Sequence, residues 1–163
     1  MKISPINNNL ENSFKSKFIP NKTLALAFNE AKEECSKEFL KSMNKFLTDG
    51  EDRTLNLVCE VVDAKGYGKG LKGFKAQILE ELNNRTFRFV DKTKFVMDVV
   101  EPNGTFQQKD TITGGVACAL IERFWGRIKD PTIDNMSDVE VKKSIQELKN
   151  KIFEVQPVGQ TSA

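Results

Sequence analysis

Arg85-Thr-Phe-Arg-Phe-Val-Asp-Lys-Thr-Lys-Phe-Val-Met-Asp-Val-Val-Glu101 is the stretch on which the fold turns. Phe87 and Phe89 alternate with polar neighbours, and Phe95, Met97 and Val99 define one face further on. A period of two marks a strand with one buried face, and two such runs around a short polar break predict a hairpin turning at residues 91–94. Glu101-Pro102-Asn103-Gly104 has proline and glycine where a type I turn wants them, so a short edge strand is expected over residues 105–109. Strands joined by tight turns pair antiparallel.

Working back along the chain, Leu55, Leu57, Cys59 and Val61 alternate in a strand-like run over residues 54–63. Residues 74–82 are ambiguous: Phe74, Ile78 and Leu82 share a helix face, yet the length also suits a strand, and Asn83-Asn84 ends it. A helix there would open the way to a doubly wound fold. Residues 21–49 read as one long helix, with Leu24, Phe28, Ala31, Cys35, Phe39, Met43 and Phe46 at three- and four-residue steps. Beyond the sheet, Thr113 is placed to cap a helix running to about residue 129, which Asp130-Pro131 ends. Ser137-Asp138-Val139-Glu140 is a capping box that opens a last helix. The expected fold is α+β: an antiparallel sheet of about four or five strands with a long N-terminal helix and two C-terminal helices packed on it. Residues 1–20 are expected to be an extended or disordered lead pinned by Phe14, Phe18 and Ile19, residues 21–155 a single domain, and residues 156–163 a frayed tail.

With 163 residues, 39% of them hydrophobic, the chain is long enough for one real core without disulfides or metal. A net charge of +2 is too mild for a dedicated nucleic-acid binder, so any basic patch is local. There is no histidine. That removes His general bases, Ser-His and Cys-His nucleophile pairs and imidazole metal ligands, and lowers the expectation of catalysis. No cofactor and no metal site are expected. Cys35, Cys59 and Cys118 are odd in number and lack C-x-x-C spacing, which suits a reducing compartment or simple buried thiols better than a disulfide framework, with one disulfide and a spare thiol left open. No apolar run approaches the length of a membrane span, and the opening residues lack the apolar core of a signal peptide. The expected location is the cytoplasm, with export by a route that needs no cleaved signal left open.

The lead carries a resemblance. Pro5-Ile-Asn-Asn-Asn9 followed by Ser13-Phe-Lys-Ser-Lys-Phe18 resembles the opening of small uncharacterised proteins from gut-associated bacteria, over about a tenth of the chain. It implies no activity. The usage of lysine and asparagine also suits an AT-rich bacterial genome.

One segment has a composition that asks for a special explanation. Residues 65–75 read Lys-Gly-Tyr-Gly-Lys-Gly-Leu-Lys-Gly-Phe-Lys, four glycines and four lysines without an acid. Gly68, Gly70 and Gly73 form a formal G-x-G-x-x-G, but the antiparallel surroundings favour a basic connection between two elements of a sheet over a dinucleotide fingerprint. Lys65, Lys69, Lys72 and Lys75, with Tyr67 and Phe74 between them, are candidates for contacting phosphates, stacking a base or meeting an acidic protein. Trp125, beside an apolar stripe, is the candidate interface aromatic. Weaker candidates are an anion site at Gly114-Gly115 in the first turn of the Thr113 helix, a carboxylate cluster of Glu60, Asp63, Asp98 and Glu101, and Cys118 as a thiol nucleophile. The function expected is a non-catalytic binding or interaction module acting on a protein partner or on itself. Phosphate, nucleotide or nucleic-acid binding at residues 65–75 is the alternative, and a carboxylate- or thiol-based enzyme the third reading.

Overall fold

In the computed structural model, residues 14–49, 52–63, 72–82, 86–89, 95–100 and 106–154 are described. In chain order the elements are β1 (Lys17–Phe18), α1 (Lys22–Glu34), α2 (Lys37–Thr48), β2 (Thr54–Asp63), β3 (Lys72–Leu82), β4 (Thr86–Phe89), β5 (Phe95–Val100), α3 (Phe106–Phe124), α4 (Pro131–Asp134) and α5 (Asp138–Glu154). The class is α+β, as expected. The sheet, however, is mixed.

Its backbone is the long antiparallel pair of β2 and β3, in register from Thr54 opposite Glu81 to Asp63 opposite Lys72. The ambiguous residues 74–82 are therefore strand. Periodicity could not decide this, because the deciding partner is a strand on the far side of the Gly/Lys segment. The doubly wound alternative falls with it, since β2 and β3 are antiparallel neighbours. On the other side of β2, β1 runs parallel, with Lys17 opposite Thr54 and Phe18 opposite Leu55. Part of the N-terminal lead is thus built into the fold: Phe18 is buried, and Ser16 beside it is buried as well.

The expected hairpin within residues 85–101 does not form. β4 pairs with the end of β3, Leu79 opposite Phe89, and β5 pairs with its beginning, Ala76 opposite Phe95. Both are antiparallel to β3, so the chain continues along one edge of β3 instead of reversing. Asp91-Lys-Thr-Lys94 lacks the Asn-Gly or Asp-Gly pair that a tight hairpin turn needs, and a long β3 offers both runs a better partner than each other. Residues 90–94 themselves lie outside the described residues.

The helices differ from expectation too. The single N-terminal helix is two. Cys35 takes a left-handed conformation, φ 52°, and closes α1 with its backbone N–H, while the Ser36 hydroxyl accepts the Phe39 N–H and caps α2. The apolar steps run straight across the break because both helices turn the same side inward, where Phe28 and Phe39 meet edge to face at 5.0 Å. Of the expected strand over residues 105–109, residues 106–109 are instead the first turn of α3. Thr113, Gly114 and Gly115 sit inside that helix and cap nothing, and it stops at Phe124, short of residue 129. Gly126, at φ 76°, takes the chain away. The capping box at Ser137 is present, with Ser137 N–H to the Glu140 carboxylate at 2.8 Å and Glu140 N–H to the Ser137 hydroxyl at 3.2 Å.

α3 is the central helix. Val116, Ala117, Cys118, Ala119, Leu120 and Ile121 are all buried, so it is covered all round rather than along one stripe. One side meets the sheet and the other meets α1 and α2. The crossing with α1 is close: a Cβ on Gly114 would stand 2.8 Å from the Leu26 carbonyl oxygen. The core then runs from Leu55, Leu57, Phe74, Ala76 and Ile78 on the sheet through α3 to Leu24, Phe28, Phe39, Met43 and Phe46, and on to Val141 and Ile145 of α5. Fully burying side chains of this size stabilises by about 1.5–3 kcal/mol each before conformational entropy is set against it.

Candidate functional site

Cover over β2 thins toward the Gly/Lys segment, while Phe74 and Ala76 opposite it on β3 stay buried. Leu55 and Leu57 are buried, Cys59 is half-buried, and Val61 is 46% exposed. Past Leu57 the strand is therefore held mainly by β3. Two ion pairs reinforce it: Glu60 to Lys75 at 3.2 Å and Asp63 to Lys72 at 2.5 Å, each between residues directly opposite in the register. Pairs of this exposed kind contribute roughly 0.2–1 kcal/mol.

The backbone of β2 has a direction. Lys17 N–H donates to the Arg53 carbonyl, Ile19 N–H to the Leu55 carbonyl, and the Asn21 side-chain amide to the Leu57 carbonyl at 3.1 Å. Odd-numbered residues of β2 thus turn their main-chain groups away from β3, because both groups of one strand residue point to the same side and sides alternate. β1 ends its pairing at Leu55. Cys59 and Val61 come next on that outer edge, and among the described residues neither has an outward main-chain hydrogen bond.

Of the residues singled out in the sequence, Lys72, Gly73 and Lys75 lie on β3, where the two lysines hold carboxylates. Lys65, Tyr67, Gly68, Lys69 and Gly70 lie outside the described residues. The chain beyond Gly73 is a strand antiparallel to β2, so no helix N-terminus stands there for a pyrophosphate, as a dinucleotide fingerprint requires. Trp125 is half-buried in an aromatic group, 5.0 Å from Phe46 and from Phe124, with the Lys45 ammonium 5.7 Å from its ring centre. Among the described residues, Trp125 and the lysines of β3 share no hydrogen bond, ion pair or ring contact.

Among the described residues, none of the weaker candidates assembles into a site. Gly114 and Gly115 are mid-helix, so they offer no anion site at a helix start. Glu60 and Asp63 hold lysines, while the side chains of Asp98 and Glu101 are outside the described residues. Burial pushes the Cys118 thiol far up, and the Glu122 carboxylate 3.5 Å away adds to that, so it is held as a thiol, not a nucleophilic thiolate. Cys59 is pushed up to about 11 by burial, against a smaller opposing hydrogen bond from Thr113. Glu122 also accepts the Ser36 hydroxyl, joining α3 to the cap of α2. Burial raises Glu30 above the usual carboxylate range, helped by its hydrogen bond with Glu34 and the charges of Glu33, Glu34 and Glu122. This seam is acidic, and its carboxylates press the Cys118 proton on rather than drawing it off. Among the described residues, no group of three His, Cys, Asp or Glu side chains is placed to hold a metal ion, and no helix is long and apolar enough to cross a membrane.

The outer edge of β2 was not among the candidates drawn from the sequence. A signal was present: Val58-Cys-Glu-Val-Val62 carries valines on both faces of the strand. No family model, no curated protein and no solved structure matches this chain.

Proposed function

We propose that the protein is a non-catalytic interaction module that engages a protein partner at the far half of the β2–β3 pair. The observation that carries this reading is Val61: a large apolar side chain, 46% exposed, on a strand whose outer main-chain groups have no partner among the described residues. Strand edges left in this state are templates for another chain, and proteins that do not use them cover or blunt them. The state of the reactive groups supports the same reading, because the thiols of Cys118 and Cys59 are held protonated. Phosphate or nucleic-acid binding at residues 65–75 is the lesser reading, since Lys72 and Lys75 already hold carboxylates.

A photo-crosslinking side chain placed at Val61 tests it, with Val139 as the comparison because it is another exposed apolar residue on a different element. Crosslinks to protein from position 61 that position 139 does not give are the expected result. The same weak background from both positions would refute the reading.

A further inference from the structure

We propose that the seam between α1 and α5 binds a phosphate dianion, held between the ammonium groups of Lys32 and Lys149. This site is separate from the β2 edge and does not rest on the interaction reading above. The register of the two helices builds it. Asn29 and Lys32 each follow a buried residue of α1, Phe28 and Ala31, and Gln146 and Lys149 each follow a buried residue of α5, Ile145 and Leu148. One step along a helix turns the side chain by about 100°, so each pair flanks its buried stripe, and the two rows face each other where the helices touch. The Lys32 ammonium donates to the Gln146 side-chain carbonyl at 2.6 Å, and the Lys149 ammonium to that of Asn29 at 2.9 Å. Gln146 is held in turn, its amide donating to Asn150 at 2.8 Å.

What the seam lacks is an acid. Lys22, Lys41, Lys72 and Lys75 each hold a carboxylate, whereas Lys32 and Lys149 hold neutral amides and, among the described residues, have no other hydrogen bond or ion pair. Neither has an Asp or Glu three or four positions away on its own helix. Burial first, and then the charge of Lys32, hold the Lys149 ammonium below the ordinary lysine value. The acids of α1 act elsewhere: Glu33 and Glu34 press on Glu30 together with Glu122 of α3, and none of the four is among the charges that move Lys149. Two like charges in a half-buried seam are costly unless an anion lies between them. Lys142, one turn before Gln146 on the same row, adds a third cation. Each ammonium has three N–H groups and gives one to an amide, so donors remain on both. A dianion with several oxygens can neutralise both cations and accept from both at once, which a chloride or a single carboxylate cannot match in charge.

The test uses the whole chain with inorganic phosphate, with glycerol phosphate, and with sodium chloride at matched ionic strength as the control. At about a hundred times its Kd, phosphate should raise Tm by about 5–10 °C more than chloride does. Lys32→Gln and Lys149→Gln should each lose most of that rise, while Lys143→Gln, at an exposed lysine on another side of α5, should keep it. On the unaltered protein, NMR titration of the lysine side chains should show the Lys149 pKa moving up in phosphate and not in chloride, which decides the matter if either variant melts early. Tighter binding of the ester would give the phosphate an organic carrier, and equal or weaker binding would assign the site to the free ion; both support the site. A rise no greater than that in chloride would overturn it. So would a rise that survives in Lys32→Gln and Lys149→Gln, or one that Lys143→Gln removes as fully as they do. Crosslinking at position 61 is untouched by any of these results, so the two readings stand or fall separately.

Discussion

Two neighbouring glycines in α3 should respond to the same substitution with opposite signs. Gly114→Ala places a methyl 2.8 Å from the Leu26 carbonyl oxygen and 3.2 Å from its carbon, both backbone atoms of α1 that no rotamer change can move. Relief requires α1 and α3 to separate by several tenths of an ångström across a crossing packed on both sides, and overpacking of this kind costs typically 1–3 kcal/mol. Alanine recovers about 1 kcal/mol of helix propensity. Because the obstacle is backbone, the upper part of the range applies, and a net loss of about 1–2 kcal/mol is expected. Gly115→Ala meets nothing within 4 Å, so it keeps the propensity gain alone, about 0.5–1 kcal/mol. For a domain of this size, each kcal/mol moves Tm by about 2–4 °C. Thermal melts by circular dichroism should therefore place Gly114→Ala about 2–8 °C below the parent and Gly115→Ala about 1–4 °C above it. Stabilisation by both would show that α1 and α3 are not in contact at Leu26, and the core described above would be wrong at its centre.

Phe46 touches Phe18, Phe124 and Trp125, so Phe46→Ala should cost about 3–5 kcal/mol and shift the fluorescence of the single tryptophan to longer wavelength; an unchanged melt would remove the aromatic group from the core. Alkylation with iodoacetamide, followed by peptide mapping, should leave Cys118 untouched until the protein unfolds, with the Cys59 rate still climbing as pH approaches about 11; fast labelling of Cys118 near pH 8 would contradict its burial. Glu30 has a folded pKa above its unfolded one, so its ionised form is disfavoured by folding and stability is regained as pH falls through the raised value. Glu30→Gln should accordingly raise Tm at neutral pH, with the gain shrinking toward zero as pH drops below the ordinary value of 4.5; a lower Tm at neutral pH would mean that Glu30 has a cationic partner.

What the sequence made legible depended on whether a segment's partner was local. The capping box at Ser137 and the turn of apolar residues in α5 involve neighbours a few positions apart, and they are where the spacing put them. The helical character of residues 22–48 was legible, but not its interruption. Ser36 and the two acids before Cys35, set against the negative end of the helix dipole, were the only local signs of it. Residues 74–82 and 86–100 turned on long-range choices: which strand takes which edge of β3 is decided by the lengths available, not by alternation. For the candidate site, the composition of residues 65–75 drew attention to the right pair of strands. It did not single out the outer edge of β2 beside them, whose one mark in the sequence is the valines on both faces of residues 58–62.

The place of α3 also bears on the order in which the molecule can assemble. Its partners α1 and α2 leave the ribosome before any strand longer than β1, and α3 emerges only after β5, yet Leu26 and Gly114 touch. Closing so long a span is entropically costly until β2 and β3 have formed and shortened it. The N-terminal helices therefore emerge with Phe28, Phe39 and Phe46 still uncovered and wait for a segment made much later. A nascent chain of this topology should stay open to protease until α3 has cleared the tunnel and then close within one cooperative step, slowly for its size because its decisive contacts are non-local.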